Sequence, residues 1–122
     1  MPVKTLDELS LEALQAHDGR GLIGFHRLFE RHDFAAPCNF VDYAVLPPGA
    51  SIGRHRHGDD EEIYLVLAGS GAMHRDGETF RVGPGSVIVN ARHGEHGLEN
   101  DGDDDLRLFV IEIAAATTGD DS

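Results

Sequence analysis

Two histidines one residue apart, His55 and His57, stand just ahead of an acidic cluster in GRHRHGDDEEIYLVLAGSG, residues 53 to 71. On an extended strand, residues two apart project to the same side with Cα atoms roughly 6.5 Å apart, so both imidazoles address one point while Arg56 points away. Gly58, Asp59 and Asp60 supply a turn, and Glu62 opens the returning segment, where its carboxylate can face the rings. Two neutral nitrogen donors and one carboxylate oxygen form a ligand set for a divalent cation, the glutamate giving partial charge compensation. More imidazoles follow in NARHGEHGLEN: His93 and His96 come just after the apolar SVIV, and His96, Leu98 and Asn100 share a face if extended. If that segment folds beside the first pair, a site of three histidines and one glutamate results. The plainer readings of the pair are ordinary exposed strand histidines or, with Arg54 and Arg56, a phosphate grip.

The elements that position these residues are marked out by turns. Residues 5 to 17, TLDELSLEALQAH, place Thr5 and Glu8 in capping-box spacing, carry Leu6, Leu9 and Ala13 on one helical face and stop near Gly19. This pattern predicts a short N-terminal helix. Beyond Leu22 the punctuation is dense: PPG at 47 to 49, GSG at 69 to 71, Asp76-Gly77, GPG at 83 to 85, HGE at 93 to 95 and NDG at 100 to 102. Between these marks lie FVDYAVL, EIYLVLA, ETFRV, SVIVN and LRLFVIEI, a series of short β-rich segments that predicts an all-β sandwich or barrel. The Asp-Gly pair between AMHR and ETFRV is a strong hairpin signal. The tail, AAATTGDDS, is expected to fray.

Composition narrows the function classes. A chain of 122 residues is expected to form one domain with one core. Cys38 has no partner for an internal bridge, and no apolar run approaches the ~18 residues that a bilayer requires, so a cytoplasmic protein is the expectation. With 22 acidic against 10 basic residues the net charge is −12, which repels phosphate backbones and anionic lipid and argues against nucleic acid or a membrane as partner. Much of the acidity sits at Asp59 to Glu62 and at Asp101 to Asp105, the second read as a solvated hairpin turn.

Taken together, these residues resemble the cupin superfamily of small double-stranded β-helix, or jelly-roll, proteins. Its first motif is a glycine, five residues, H-x-H, three or four residues, a glutamate, six residues and a glycine; Gly49, His55, His57, Glu62 and Gly69 occupy those places. That spacing selects Glu62 over Glu61. The second motif is matched at Gly85, His96 and Asn100, but Ala91 and His93 stand where a proline and a glycine usually are. The resemblance covers roughly residues 40 to 113.

What the resemblance implies is an all-β jelly-roll barrel at 39–113, preceded by a helix and an added strand (GLIGFHRLF) within 1–38 and followed by a flexible tail at 114–122. The added strand implies a homodimer. The implied metal ligands are His55, His57, Glu62 and His96, holding a divalent transition metal such as manganese, iron, nickel or zinc. Tyr64, which shares strand parity with Glu62, is placed with Arg54 and Asn100 on the substrate side, its plainer reading being a packing residue with its hydroxyl satisfied. Asn100 has a second reading as the cap of its own turn, His93 as a neighbour of His96, and His17, His26, His32 and His74 as surface or packing residues. The implied function is that of a metal-dependent oxidoreductase or lyase acting on a small oxygen-rich metabolite, foremost a carboxylate, by decarboxylase or oxidase/dioxygenase chemistry. The alternatives are an isomerase, epimerase or cyclase on a sugar-like or polyketide substrate, and a non-catalytic small-molecule binder.

Overall fold

Alternation of burial shows why the chain is extended. In LRLFVIEI, Leu106, Leu108 and Val110 are buried while Arg107 is exposed, and in EEIYLVLA the buried residues are Glu62, Tyr64 and Val66. A two-residue period of this kind suits a strand with one face on a core. The computed structural model describes residues 3–115. Within them run β1 (Glu12–Leu14), β2 (Ile23–Glu30), β3 (Cys38–Leu46), β4 (Ser51–Arg56), β5 (Glu61–Ala68), β6 (Gly71–Arg75), β7 (Glu78–Val82), β8 (Val87–Asn90), β9 (Glu95–Glu99) and β10 (Leu106–Ile113).

All named strand pairings are antiparallel. One sheet has the order β1-β2-β3-β10-β5-β8 and the other β4-β9-β6-β7. Leu46, Met73, Leu98, Leu106 and Leu108 fill the space between them at 0–1% exposure. This is the jelly-roll arrangement. The Asp76-Gly77 hairpin joins β6 to β7 with both residues at positive φ (50° and 84°), as a type I′ turn requires.

The N-terminal helix does not form. Leu6–Glu8 make a single 3-10 turn, Thr5 is extended with no side-chain cap bond, and Leu9 returns to extended backbone at φ −81°, ψ 143°. Residues 12–14 instead pair with Ile23–Phe25 as β1. Two tertiary demands override the helical spacing. Leu6 and Leu9 pack on the outer face of the large sheet against Leu28, Tyr43 and Val45, while Leu14 and Ala16 turn to the inner core. The added strand, β2, is flanked by β1 and β3 of its own chain. The first two residues of the expected fraying tail are tied down: Ala114 N–H donates to the Pro37 carbonyl (2.9 Å) and Ala115 N–H to Asp60 Oδ1 (2.8 Å). The rest of that tail, 116–122, lies outside the described residues. No helix among the described residues is long and apolar enough to cross a membrane.

Candidate metal centre

Strand pairing brings the four expected ligands together from separate elements. His55 on β4 lies directly opposite His96 on β9, and His57 follows the end of β4 with its N–H on the Gly94 carbonyl (2.9 Å). Glu62 enters from the other sheet on β5. One ligand atom from each of His55, His57, Glu62 and His96 lies within 4.8 Å of all the others. His57 Nε2 is 3.1 Å and His96 Nε2 3.2 Å from the same glutamate oxygen, Oε1. The His57 and His96 rings stack at 4.7 Å, 14° apart, and the His55 ring stands 4.4 Å from His96 at 63°.

The donor set fits a metal ion. His55 Nδ1–H donates to the Gly53 carbonyl (2.8 Å), which leaves Nε2 with its lone pair free. His57 Nε2 is buried and has no hydrogen-bond partner among the described residues, although a carboxylate stands beside it. An orphaned buried nitrogen is costly unless something else satisfies it, and a cation would. Burial lowers His55 to a pKa of about 4, so its ring is neutral at physiological pH. Burial by itself would raise Glu62, but the hydrogen bond from His96 and the facing His57 and His96 outweigh it and hold the carboxyl below its ordinary value. A neutral His55 beside an ionised Glu62 suits a metal, and this nitrogen and oxygen set fits manganese, iron, nickel and zinc alike.

Further groups frame the cluster. Tyr64, fully buried, meets His96 edge-on at 5.4 Å and 90°. Glu112 on β10 sits in register with Glu62 and places Oε1 4.0 Å from His57 Nδ1, while its Oε2 accepts from Asn39 (2.9 Å). Burial raises Glu112, and the Asn39 bond only partly opposes this. Asn90, opposite Glu62 on β8, is 1% exposed with both amide atoms unpartnered among the described residues. A strap at residues 15–20 crosses β4 and lays the His17 ring flat on His55, 3.5 Å away and 9° from parallel.

The strap depends on glycine. Gly53 N–H donates to the Ala16 carbonyl (3.0 Å), and a Cβ at Gly53 would lie 1.9 Å from the His17 carbonyl oxygen. His17 and Asp18 themselves adopt left-handed backbone at φ 50° and 57°, which L-residues take at a cost. A cavity of about 290 Å³ lies beside this strap, bordered by His17, Glu62, Tyr64, Ile52, Arg27 and Asp42 among others.

The expected substrate-side residues divide. Tyr64 borders both cavity and cluster. Arg54 does not: it has the opposite parity to His55, packs across Gly97 and approaches His74 Nδ1 (3.3 Å) on the outer face. Asn100 is committed to its own loop, its amide nitrogen donating to the Leu46 and Asp104 carbonyls (both 2.8 Å) and its oxygen accepting from Gly102 N–H (3.0 Å). His93 is exposed and pairs with Asp59 (3.0 Å) at φ 63°, so the position that a glycine usually fills keeps the left-handed turn without one. His17, expected at the surface or in packing, borders the cavity. Glu112 and Asp42 went unnoticed, yet a signal existed: each shares strand parity with buried neighbours, Leu108 and Val110 for the first, Ala44 and Leu46 for the second.

Comparison with known proteins agrees with this geometry. The oxalate-binding protein of Thermotoga maritima is 30% identical over 95 residues, covering 78% of each chain. A crystal structure from the same organism, described as a predicted oxalate decarboxylase, superposes with a TM-score of 0.88 at 28% identity, covering 93% of this chain and 98% of that one. The polyketide cyclase of Streptomyces resistomycificus shares the fold at a TM-score of 0.75 and 22% identity, over 93% of this chain and 79% of its own. Residues 42–112, the stretch that carries both motifs and all four clustered side chains, match the cupin domain family, and the chain belongs to that family.

Proposed function

We propose that the protein is a metal-dependent enzyme acting on a small oxygen-rich metabolite, foremost a carboxylate, by decarboxylase or oxidase/dioxygenase chemistry. The observation that carries this reading is the convergence of His55, His57, Glu62 and His96 within 4.8 Å, with His57 Nε2 buried and unpartnered among the described residues. These four are the proposed ligands, for manganese, iron, nickel or zinc. An ion held there supplies Lewis acidity, with coordination positions left for substrate oxygens. The protein's part is to keep the His55 ring neutral, exclude water with the buried Tyr64 and His96, and orient the substrate in the adjoining cavity. The likeness to a protein named for oxalate binding and to one described as a predicted oxalate decarboxylase supports a carboxylate substrate. We further take the chain as a single cytoplasmic domain that works as a homodimer. Outward-facing Val87 and Val89 on β8, 63% and 51% exposed, are apolar surface that a second copy would cover.

Elemental analysis of protein purified without chelator tests the centre, with about one ion per chain expected in wild type and none in His57→Ala. Carbon dioxide release and oxygen uptake against a panel of small carboxylates test the activity, which His57→Ala should abolish together with the metal. A wild type that carries no metal sinks the reading. The name of the Thermotoga relative favours a second reading, a metal-assisted binder without turnover. Saturable carboxylate binding by the metal-loaded protein, with no product formed from any member of the panel, would establish that alternative.

A further inference from the structure

The cavity beside the cluster has a second chemical end. Arg27 on β2 and Asp42 on β3 are register partners, and the row they begin continues across the sheet through Val110 and Tyr64. Arg27 Nε donates to Asp42 Oδ1 (2.9 Å) and Nη2 to Oδ2 (3.1 Å), a side-on fork that uses one edge of the guanidinium. Its faces are also covered, with Cζ 4.2 Å from the centre of the Phe40 ring and 5.7 Å from that of Phe25. What remains is Nη1, which has no hydrogen-bond partner among the described residues, on a side chain 43% exposed at a cavity border. Of the residues bordering that cavity, Arg27 is the one permanent cation.

A structural role alone does not account for the pair. Asp42 is 4% exposed on a strand whose same-face neighbours Ala44 and Leu46 belong to the apolar core. An apolar pair of similar volume is often as stable as a buried ion pair, or more so. What the pair does supply is a guanidinium held rigidly at the cavity border, in a chain whose net charge of −12 otherwise offers an anion little attraction.

We infer that Arg27, clamped by Asp42 and Phe40, is a specificity-determining residue that binds the distal carboxylate of a substrate whose other end reaches the metal centre. The inference rests on the proposed function and narrows its substrate class. Arg27 stands three strand spacings from Tyr64, about 14 Å along the sheet before side chains close the gap. Oxalate, whose carboxylates share a single bond, cannot touch both ends. The cavity of about 290 Å³ has the room of roughly ten waters, more than a two-carbon acid fills. Ile52, Ala44 and Val110 make the wall between the ends apolar, so the ligand is an acid with a chelating head, a hydrocarbon middle and a terminal carboxylate.

The test compares 2-hydroxyadipate with 2-hydroxyhexanoate by calorimetric titration of manganese-loaded protein, since the two share head and length and differ only in the distal carboxylate. Wild type should bind the diacid at least tenfold more tightly. The double variant Arg27→Gln/Asp42→Asn, which removes both charges and leaves no buried carboxylate unpaired, should lose that ratio while keeping its metal and its affinity for 2-hydroxyhexanoate. Arg27→Lys, which keeps the charge but not the fork, should retain part of the ratio. A ratio near one in metal-loaded wild type, or an unchanged ratio in the double variant, overturns the role of Arg27 and leaves the metal centre standing. Wild type that holds no metal by elemental analysis, whether loaded with manganese, iron, nickel or zinc, overturns both.

Discussion

Glu62 and Asp42 are two carboxylates on the inner face of one sheet, buried to 6% and 4% exposure, bordering one cavity, and they are stabilised in opposite ways. Asp42 has a permanent cation, Arg27, yet burial outweighs that partner and raises its pKa. Glu62 has no guanidinium, only imidazoles, and its pKa is held down. Depth of burial therefore does not separate the two; the partner's chemistry does. One guanidinium takes both oxygens of Asp42, whereas the His57 and His96 nitrogens converge on a single oxygen of Glu62, an arrangement that an ion set among them would use.

The sharpest way to break this contrast is to neutralise each acid in turn and count metal. Glu62→Gln should leave the protein without stoichiometric metal after dialysis, because it removes the only anionic donor of the cluster. Asp42→Asn should keep the full complement. Equal metal content in the two variants, measured by plasma mass spectrometry, would remove the distinction between a metal-directed and a self-paired carboxylate.

Stability gives the next largest effect, within the Arg27–Asp42 pair itself. Arg27→Met strands a carboxylate whose side chain is 6% exposed and should cost about 3 kcal/mol, the low end for a broken buried pair because the acid can protonate. Asp42→Asn leaves a guanidinium that is already 43% exposed and can turn to water, so its cost should be about 1 kcal/mol or less. Denaturant melts of the two variants at neutral pH check the asymmetry, and equal losses would show that the two partners are buried alike.

The same contrast bears on what could be read without coordinates. His55, His57 and Glu62 were legible because a two-residue period and a short turn bring them together by local geometry. His96 was not fixed by local geometry, since its place opposite His55 depends on pairing of strands far apart in the chain, and only the resemblance to a motif singled it out. The N-terminal segment was misread because Leu6, Leu9 and Ala13 satisfy a helical spacing, while an open sheet edge and an apolar outer face claim the same residues. Propensity is a weak prior against such packing. His17 was out of reach altogether, because its position over His55 needs two backbones to approach as closely as Gly53 and Gly19 permit.

Titration sharpens the comparison further. His55, with a pKa of about 4 in the folded protein and an ordinary value of 6.5, declines a proton that the unfolded chain accepts between those pH values. Metal-free protein should therefore gain stability as pH rises from about 4 to 6.5. Glu62, held below its ordinary 4.5, acts in the same direction: its contribution is complete above 4.5 and is lost as pH falls through its lower folded value. Asp42, raised above 3.8, and Glu112, raised above 4.5, act the other way just above those values, because there the folded state holds more protons. Thermal melts of metal-free protein across this range should show the net rise, and His55→Gln should flatten its upper part. A wild-type profile already flat between pH 5 and 6.5 would mean that the His55 ring is not kept neutral by the fold.

Glu112 is the intermediate case, and it gives the smallest effect. It lies in register with Glu62 and 4.0 Å from His57 Nδ1, too far for a hydrogen bond but close enough to orient the ring and favour a proton on that nitrogen. Its raised pKa shows burial winning, as at Asp42, while its neighbour is a cluster imidazole, as at Glu62. Outer carboxylates that hydrogen-bond a ligand histidine typically change metal affinity by 10- to 100-fold on mutation. At 4.0 Å, Glu112→Gln should fall at or below the lower figure, about tenfold, with Asn39 still bonded to the new amide and stability little changed. Competition with a metal-indicator dye measures that shift. A loss as large as that of Glu62→Gln would mean that Glu112 swings in as a ligand, and no loss at all would confine the metal-directed role to Glu62 alone.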